Sequence, residues 1–324
     1  MIRPTTSEAR MLGVSVFAVV GLALLPLIDQ GYFLAMGVNL MLYAALATAW
    51  SLFSGPTHLV SLATAAFYGV GTYAVGLGTD VLPFGVLVVI GGLAAALLAG
   101  IVGAATLRLS GVYFVIFTFG LAELIRQVVS WSQAKATGSV GLYVFTDFGE
   151  EDIYWMLLAL TVAVFVTGWL IGRSRPGFAL EVIGNDETVG KHIGIDTARV
   201  KIVLFMISGA FIAMAGAIVA PRYSYIEPGS AFNPMISFLV VIMALMGGTR
   251  RLWGALVGVV PFTVTMDVLT ANFASYTNVV LGLAFLVIVY LLPNGVTGRL
   301  EQLLGASRRR AGTSETVGFE GGAS

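Results

Sequence analysis

The chain has 324 residues, 58% of them hydrophobic and 10% charged, with 17 basic residues balanced by 17 acidic ones, and a mean hydropathy of +0.94. Soluble domains carry roughly a quarter charged residues, so the composition excludes a soluble globular protein and reads as an integral membrane protein. The 40 glycines suit helices that approach closely in lipid, the absence of cysteine excludes disulfides and thiolate metal sites, and two histidines leave little from which to build a catalytic centre.

A membrane-spanning helix needs about 20 apolar residues. Arg3 and Arg10 precede an apolar run from Met11 to Ile28, which reads as a first span because Leu24-Leu25-Pro26-Leu27-Ile28 offers no small-residue cleavage site for a leader. Further spans are expected at Tyr32–Phe53, Leu59–Leu77, Val81–Leu107, Val112–Trp131 and Ile153–Gly172. After these come Ile202–Ala220, Ile236–Gly248, Leu252–Leu269 and Val279–Leu292. The expected fold class is therefore an all-α, polytopic transmembrane helical bundle of roughly ten spans. The segment after Pro234 and the final one are short and read as tilted, broken or re-entrant. Glycine-rich stretches at Gly69–Gly71 and Gly209–Gly216 hint at two related bundles.

Threading these spans from an inside N-terminus sorts the basic residues. Fourteen of the 17 fall inside: Arg3, Arg10, Arg108, Arg173, Arg175, Lys191, Arg199, Lys201, Arg250, Arg251, Arg299 and Arg308 to Arg310. Arg126, Lys135 and Arg222 fall outside, as does the acidic group Asp147, Glu150, Glu151 and Asp152. This bias places both termini in the cytosol. Residues 1–304 form the membrane domain on this reading, and the polar tail 305–324 is expected to be a disordered cytosolic segment.

The longest polar connection, residues 173–200, then lies on the cytosolic face. Ala179, Leu180, Ile183, Glu187 and Lys191 recur in it at helical spacing, Pro176-Gly177 offers a turn before them, and two short helices separated near Gly194 are expected. A plain connector needs only a few residues, so the segment reads as a helix shaped to dock into a groove of another protein. Gly190-Lys191 resembles the end of a P-loop, but Asn185 stands where the first glycine is required and His192 where the magnesium-binding hydroxyl belongs. Any ATP-driven work must therefore come from a partner.

Polar residues within spans are few. Glu123 and Arg126 lie three apart on one helix and read as a structural pair near the outer face. Asn39 and His58 read as boundary residues, and Asp267 falls near an outer helix end. The pairs Gly69/Gly71 and Gly247/Gly248 read mainly as helix-packing sites, with kinks lining a path as the other reading.

Six motifs in order carry a resemblance. They are Ala65-Ala66-Phe67-Tyr68-Gly69-Val70-Gly71-Thr72-Tyr73, Gly111-Val112-Tyr113-Phe114 leading to Thr118 and Glu123, and Thr137-Gly138 with Gly141-Leu142. They continue with Gly177 to Glu187 followed by Gly194-Ile195 and Lys201, then Gly247-Gly248-Thr249 with Leu252-Trp253-Gly254, and finally Pro293-Asn294-Gly295. Together they resemble the permeases of branched-chain amino acid ABC transporters, in the LivM branch. The chain departs from the family's usual pattern at Ala63-Thr64, at Phe178, at Thr188-Val189 and at Ser139.

The resemblance implies a multi-pass permease in a prokaryotic plasma membrane, not itself an enzyme and without a cofactor or nucleic-acid partner. The implied partners are two ATPase subunits, a second and related permease chain, and a soluble substrate-binding protein. It also implies that Gly177, Ala179, Leu180, Ile183, Asn185, Glu187, Gly194, Ile195 and Lys201 belong to the ATPase-coupling loop. Gly69, Gly71, Tyr73, Glu123, Arg126, Gly247 and Gly248 are the pore or packing candidates. Branched-chain amino acids are the expected substrates and urea or short amides the alternative. An ion-coupled secondary transporter is the rival of another class.

Overall fold

The computed structural model describes residues 31–107, 111–139, 141–249, 252–273, 279, 280, 282 and 283. In chain order these form α1 (Tyr32–Thr57), α2 (Thr64–Gly78), α3 (Phe84–Thr106), α4 (Val112–Thr137), β1 (Leu142–Tyr143), α5 (Glu150–Gly172), α6 (Arg175–Asn185) and α7 (Glu187–His192). They continue with α8 (Thr197–Val219), a short 3-10 turn (Ala220–Arg222), β2 (Tyr225–Ile226), α9 (Pro228–Ala231), α10 (Pro234–Gly247) and α11 (Leu252–Phe273).

Seven helical stretches among the described residues are long and apolar enough to cross a membrane: α1, α3, α4, α5, α8 with its 3-10 turn, α9 with α10, and α11. The protein is an all-α membrane protein. Its one departure among the described residues is an antiparallel pair of two-residue strands, with Leu142 opposite Ile226 and Tyr143 opposite Tyr225. The expected span Met11–Ile28, nearly all of Val279–Leu292 and the tail 305–324 lie outside the described residues.

The expected continuous span Leu59–Leu77 requires correction. The helix begins only at Thr64, and residues 58–63 run unwound between α1 and α2, with Ser61, Leu62 and Ala63 buried. Lipid cannot satisfy free backbone groups, so such a segment survives only where protein supplies the partners. Here the partners are side chains from three helices. Trp50 Nε1 donates to the Ser61 carbonyl (2.7 Å), the Leu62 amide donates to Thr118 Oγ1 (3.0 Å), and Ser237 Oγ both donates to the Leu62 carbonyl and accepts from the Ala65 amide (2.8 Å each). Apolar composition could not reveal the break, because Leu59, Val60, Leu62 and Ala63 in the unwound segment are themselves apolar.

α1 and α8 are the most enclosed of the spanning helices and α4 the least. α1 packs against α5, α8, α10 and α11, and α8 also packs against α2 and α3. Four rings knit α1, α2, α4 and α8 together: Phe205 lies 4.7 Å from Phe53, 5.3 Å from Phe67 and 6.2 Å from Phe114, centroid to centroid. Phe205 lies eight residues into α8, so α2 starts about 12 Å above the end where the 173–200 segment sits.

Close backbone approach is concentrated on two helix pairs. A Cβ on Gly71 would overlap the Ala213 carbonyl, and one on Gly216 would overlap the Tyr68 carbonyl, so α2 and α8 meet backbone to backbone. The two glycine-rich stretches read from the sequence therefore pack on each other. Gly247 against Gly254, with Gly258 against Met243, joins α10 to α11 in the same manner.

Candidate functional site

The 173–200 segment is an ordered elbow of two helices. Ser174 precedes α6, so the chain turns there, and Pro176-Gly177 lies inside the first helical turn instead of before it. Gly177 is nonetheless constrained, because a Cβ there would overlap the Ile171 carbonyl. Ala179, Leu180 and Ile183 form the buried stripe of α6. Gly184 faces the carbonyl of Pro56 at the end of α1, where a Cβ would come within 2.8 Å of it.

The expected break near Gly194 also requires correction. α6 and α7 separate at Asp186, whose carboxylate accepts from the Thr188 amide (2.7 Å) and the Val189 amide (3.4 Å) and so caps α7. Those backbone bonds hold the Asp186 carboxyl below its usual range. Gly194 instead ends α7. With φ of +85° it closes a Schellman turn, in which the Ile195 amide donates to the Gly190 carbonyl (3.0 Å) and the Gly194 amide to that of Lys191 (3.1 Å). A single helical stripe hid the Asp186 break, because apolar spacing continued across a residue whose preference is for capping.

Glu187 is the hub of the elbow. Lys201, buried in the first turn of α8, donates to its Oε2 (2.6 Å), Thr197 donates to Oε1 (3.1 Å), and Lys191 pairs with Oε1 at 3.3 Å. Partial burial pushes the Glu187 carboxyl up, but Lys201, Lys191 and Thr197 outweigh it and hold the group below the ordinary carboxylate range. The elbow is thus fastened to α1 through α6 and to α8 through Glu187. Asn185 is exposed, with its amide donating to the Glu181 carbonyl (3.0 Å), and Ile195 is half-buried. Phe178, Val189 and Ile193 present large apolar side chains to the exterior.

The remaining candidates divide. Gly69 lies against the Phe232 ring, Gly71 and Gly247 are close-packing positions, and Gly248 ends α10 with φ of +99°. Tyr73 is buried and donates to Gln133 Oε1 (2.9 Å), tying α2 to α4. Glu123 accepts from Arg126 Nε (2.8 Å) and again from its terminal nitrogen, and from Gln127 (3.0 Å), so the expected pair forms within α4. None of these lines the cleft between α1, α10 and α11.

Sequence reasoning missed the polar group that does gather around a cavity. A cleft of about 140 Å³ opens between α1, α10 and α11, and Asn39, Tyr43, Thr263 and Asp267 supply its polar wall. Asn39 Oδ1 accepts from Arg222 (2.7 Å), and Arg222 also pairs with Glu150 (3.4 Å). The only available signal was a carboxylate 15 residues into a spanning helix, and no spacing rule links it to Asn39 or Arg222. Among the described residues no group of three or more His, Cys, Asp or Glu is arranged to hold a metal.

Comparison with known proteins decides the family. Residues 32–289 match the family described as branched-chain amino acid transport system / permease component. The chain belongs to this family. The permease is 26% identical over 291 residues to the high-affinity branched-chain amino acid transport system permease protein LivM of Escherichia coli, covering 79% of this chain and 68% of that one. It is 25% identical over 208 residues to the autoinducer 2 import system permease protein LsrC of Klebsiella pneumoniae, covering 60% and 58%. With LivH of Salmonella typhimurium it shares 28% over 152 residues, covering 47% and 48%. No solved structure is significantly similar. The permease is a multi-pass membrane protein of transport.

Proposed function

We propose that the permease is one membrane half of an ATP-binding cassette importer for leucine, isoleucine and valine, with a related chain as the other half. A soluble binding protein delivers the amino acid at one face, and two separate ATPase subunits grip the 173–200 elbow at the other. About ten spans and cytosolic termini complete this arrangement. The observation that carries it is the double fastening of the elbow, to the end of α1 through Gly184 and to the start of α8 through Glu187 and Lys201. A partner that moves α6 and α7 moves both helices with them, which is a rigid-body transfer between two packed states.

The exposed Phe178, Val189 and Ile193 suit an elbow that inserts into a groove. Departures from the family pattern at Phe178 and Thr188-Val189 fall on or beside this exposed surface, so they would tune the fit to a particular ATPase. The test is uptake of labelled leucine by proteoliposomes holding the complete importer. Accumulation that requires ATP, the ATPase subunits and the loaded binding protein is the expected result. Uptake driven by a proton or sodium gradient without ATPase subunits would overturn the proposal in favour of a secondary transporter.

A further inference from the structure

We infer that the cleft between α1, α10 and α11 is a transit site for a zwitterionic, apolar α-amino acid, with Asp267 receiving the ammonium group and Arg222, held beside the cleft on Asn39, attracting the carboxylate. The inference rests on the proposed amino-acid import and adds a place in the path where the substrate is held.

Three observations meet at the cleft. The first is unspent hydrogen-bonding capacity. Asp267 Oδ2 and Thr263 Oγ1 are both buried, and neither has a partner among the described residues. Thr263 is 1% exposed. A buried polar group without a partner is costly, and a carboxylate oxygen more so than a hydroxyl. Both face a cavity, which is where a ligand with N–H donors satisfies them. An ammonium group brings three donors and a full charge.

The second is the distribution of charge. Arg222 lies within electrostatic reach of Asp267, and so does Tyr43. Arg222 pairs with Glu150 and donates its hydrogen bond to Asn39 Oδ1, not to Asp267. The acid therefore lines the cleft while the base stands behind its wall residue Asn39, with no ion pair between the two among the described residues. An acid in the wall with a base behind it suits a zwitterion, whereas Ca²⁺ takes six to eight oxygen ligands.

The third is the opposite wall and the size. Leu239, Met243 and Met266 form the apolar side of the cleft. Methionine adapts to ligands of different shape, which suits a site that accepts leucine, isoleucine and valine alike. A cavity of about 150 Å³ holds benzene, so a cleft of about 140 Å³ takes a four-carbon aliphatic side chain, and its open side leaves room for the rest of the amino acid. Thr263 and Asp267 lie 11 and 15 residues into α11, about 16 and 22 Å along its axis, which reaches from the middle toward the outer part of a ~30 Å bilayer core.

The chain contains no cysteine, so Thr270→Cys at the rim of the cleft gives this permease a single reporter thiol. The importer is assembled with cysteine-free partner subunits, its leucine uptake is first confirmed, and the rate of alkylation by a small maleimide is followed. Where T270C abolishes uptake, M266C takes its place. L-Leucine at millimolar concentration is expected to slow alkylation at least about five-fold, isoamylamine to slow it as well, and 4-methylpentanoate, which lacks the ammonium, to have no effect. Adding Asp267→Asn is expected to abolish protection by both amines and to lower kcat/KM for leucine at least about ten-fold. An importer that takes up leucine while neither amine protects, or that keeps leucine protection in D267N, overturns the transit site and leaves the import function standing. An importer that takes up no branched-chain amino acid fails the functional proposal itself. Protection by sodium chloride in place of leucine identifies a cation site and also overturns the inference.

Discussion

Replacing Glu187 with alanine removes the fastening between the elbow and α8 in one step. The Lys201 ammonium, whose side chain is 6% exposed, loses its charged acceptor. A charge-assisted bond contributes about 1.5–3 kcal/mol, and because the Glu187 side chain is 39% exposed, solvent screening favours the lower end. Thr197 adds about 0.5 kcal/mol, and Lys191, whose side chain is 63% exposed, adds close to nothing. The sum is about 2 kcal/mol, or roughly a 30-fold rise in the local opening constant. Amide hydrogen exchange of the assembled importer reads this directly across residues 187–195. Glu181→Ala, at an exposed position of α6, is the control and leaves exchange unchanged. E187A is expected to raise exchange about 30-fold there and to reduce leucine moved per ATP hydrolysed. Unchanged exchange refutes the role of Glu187 as the hub. Raised exchange with undiminished transport per ATP refutes the need for a rigid elbow.

Gly71→Ala forces a Cβ into the Ala213 carbonyl and is expected to lower the stability of the purified permease by about 1–3 kcal/mol, read as a lower midpoint of thermal unfolding in detergent. Gly85→Ala, where a Cβ meets nothing within 4 Å, leaves that midpoint unchanged or raises it. Ser237→Ala removes the partner of both the Leu62 carbonyl and the Ala65 amide, and at about 1–3 kcal/mol for each buried group left unpaired it is expected to destabilise more than any exposed serine replacement, by the same measurement. Because the folded-state pKa of Glu187 is depressed, its contribution is complete above the unfolded value of about 4.3 and is lost as pH falls through the lower folded value. Exchange across 187–195 is therefore expected to stay flat, after correction for intrinsic rates, from neutrality down to about pH 5, and to rise at more acidic pH. In E187A this acid-induced rise is reduced.

Much of the bundle was legible because lipid imposes a simple rule: helices must be long, apolar and internally bonded. That rule placed α1, α3, α4, α5, α8, α10 and α11 close to their observed bounds. It failed at residues 58–63, where the protein interior supplies Trp50, Thr118 and Ser237 as partners and a break becomes tolerable. No local pattern encodes a bond spanning 175 positions, such as Ser237 to Leu62.

The elbow was legible as a polar segment with an apolar stripe, and its buried residues Ala179, Leu180 and Ile183 are those the spacing indicated. Its joint was misplaced because Asp186 can either continue a helix or cap the next one, and the tertiary contact of Glu187 with Lys201 favours the cap. Glu123 and Arg126 were readable as a pair because their spacing is local. The cleft was not readable, since Asn39, Thr263 and Asp267 come from helices far apart in sequence and are brought together only by the packing of α1 on α11.

The central claim is that work enters through the elbow, and site-directed cross-linking tests it most directly. A cysteine at the exposed Val189 of this cysteine-free chain is placed in the complete importer in sealed vesicles of known orientation. The account predicts labelling by an impermeant maleimide only from the cytosolic side, and a short bifunctional maleimide that joins position 189 to an ATPase subunit and halts ATP-driven uptake. Labelling from the outer side, or cross-linking to the binding protein in place of the ATPase, contradicts it.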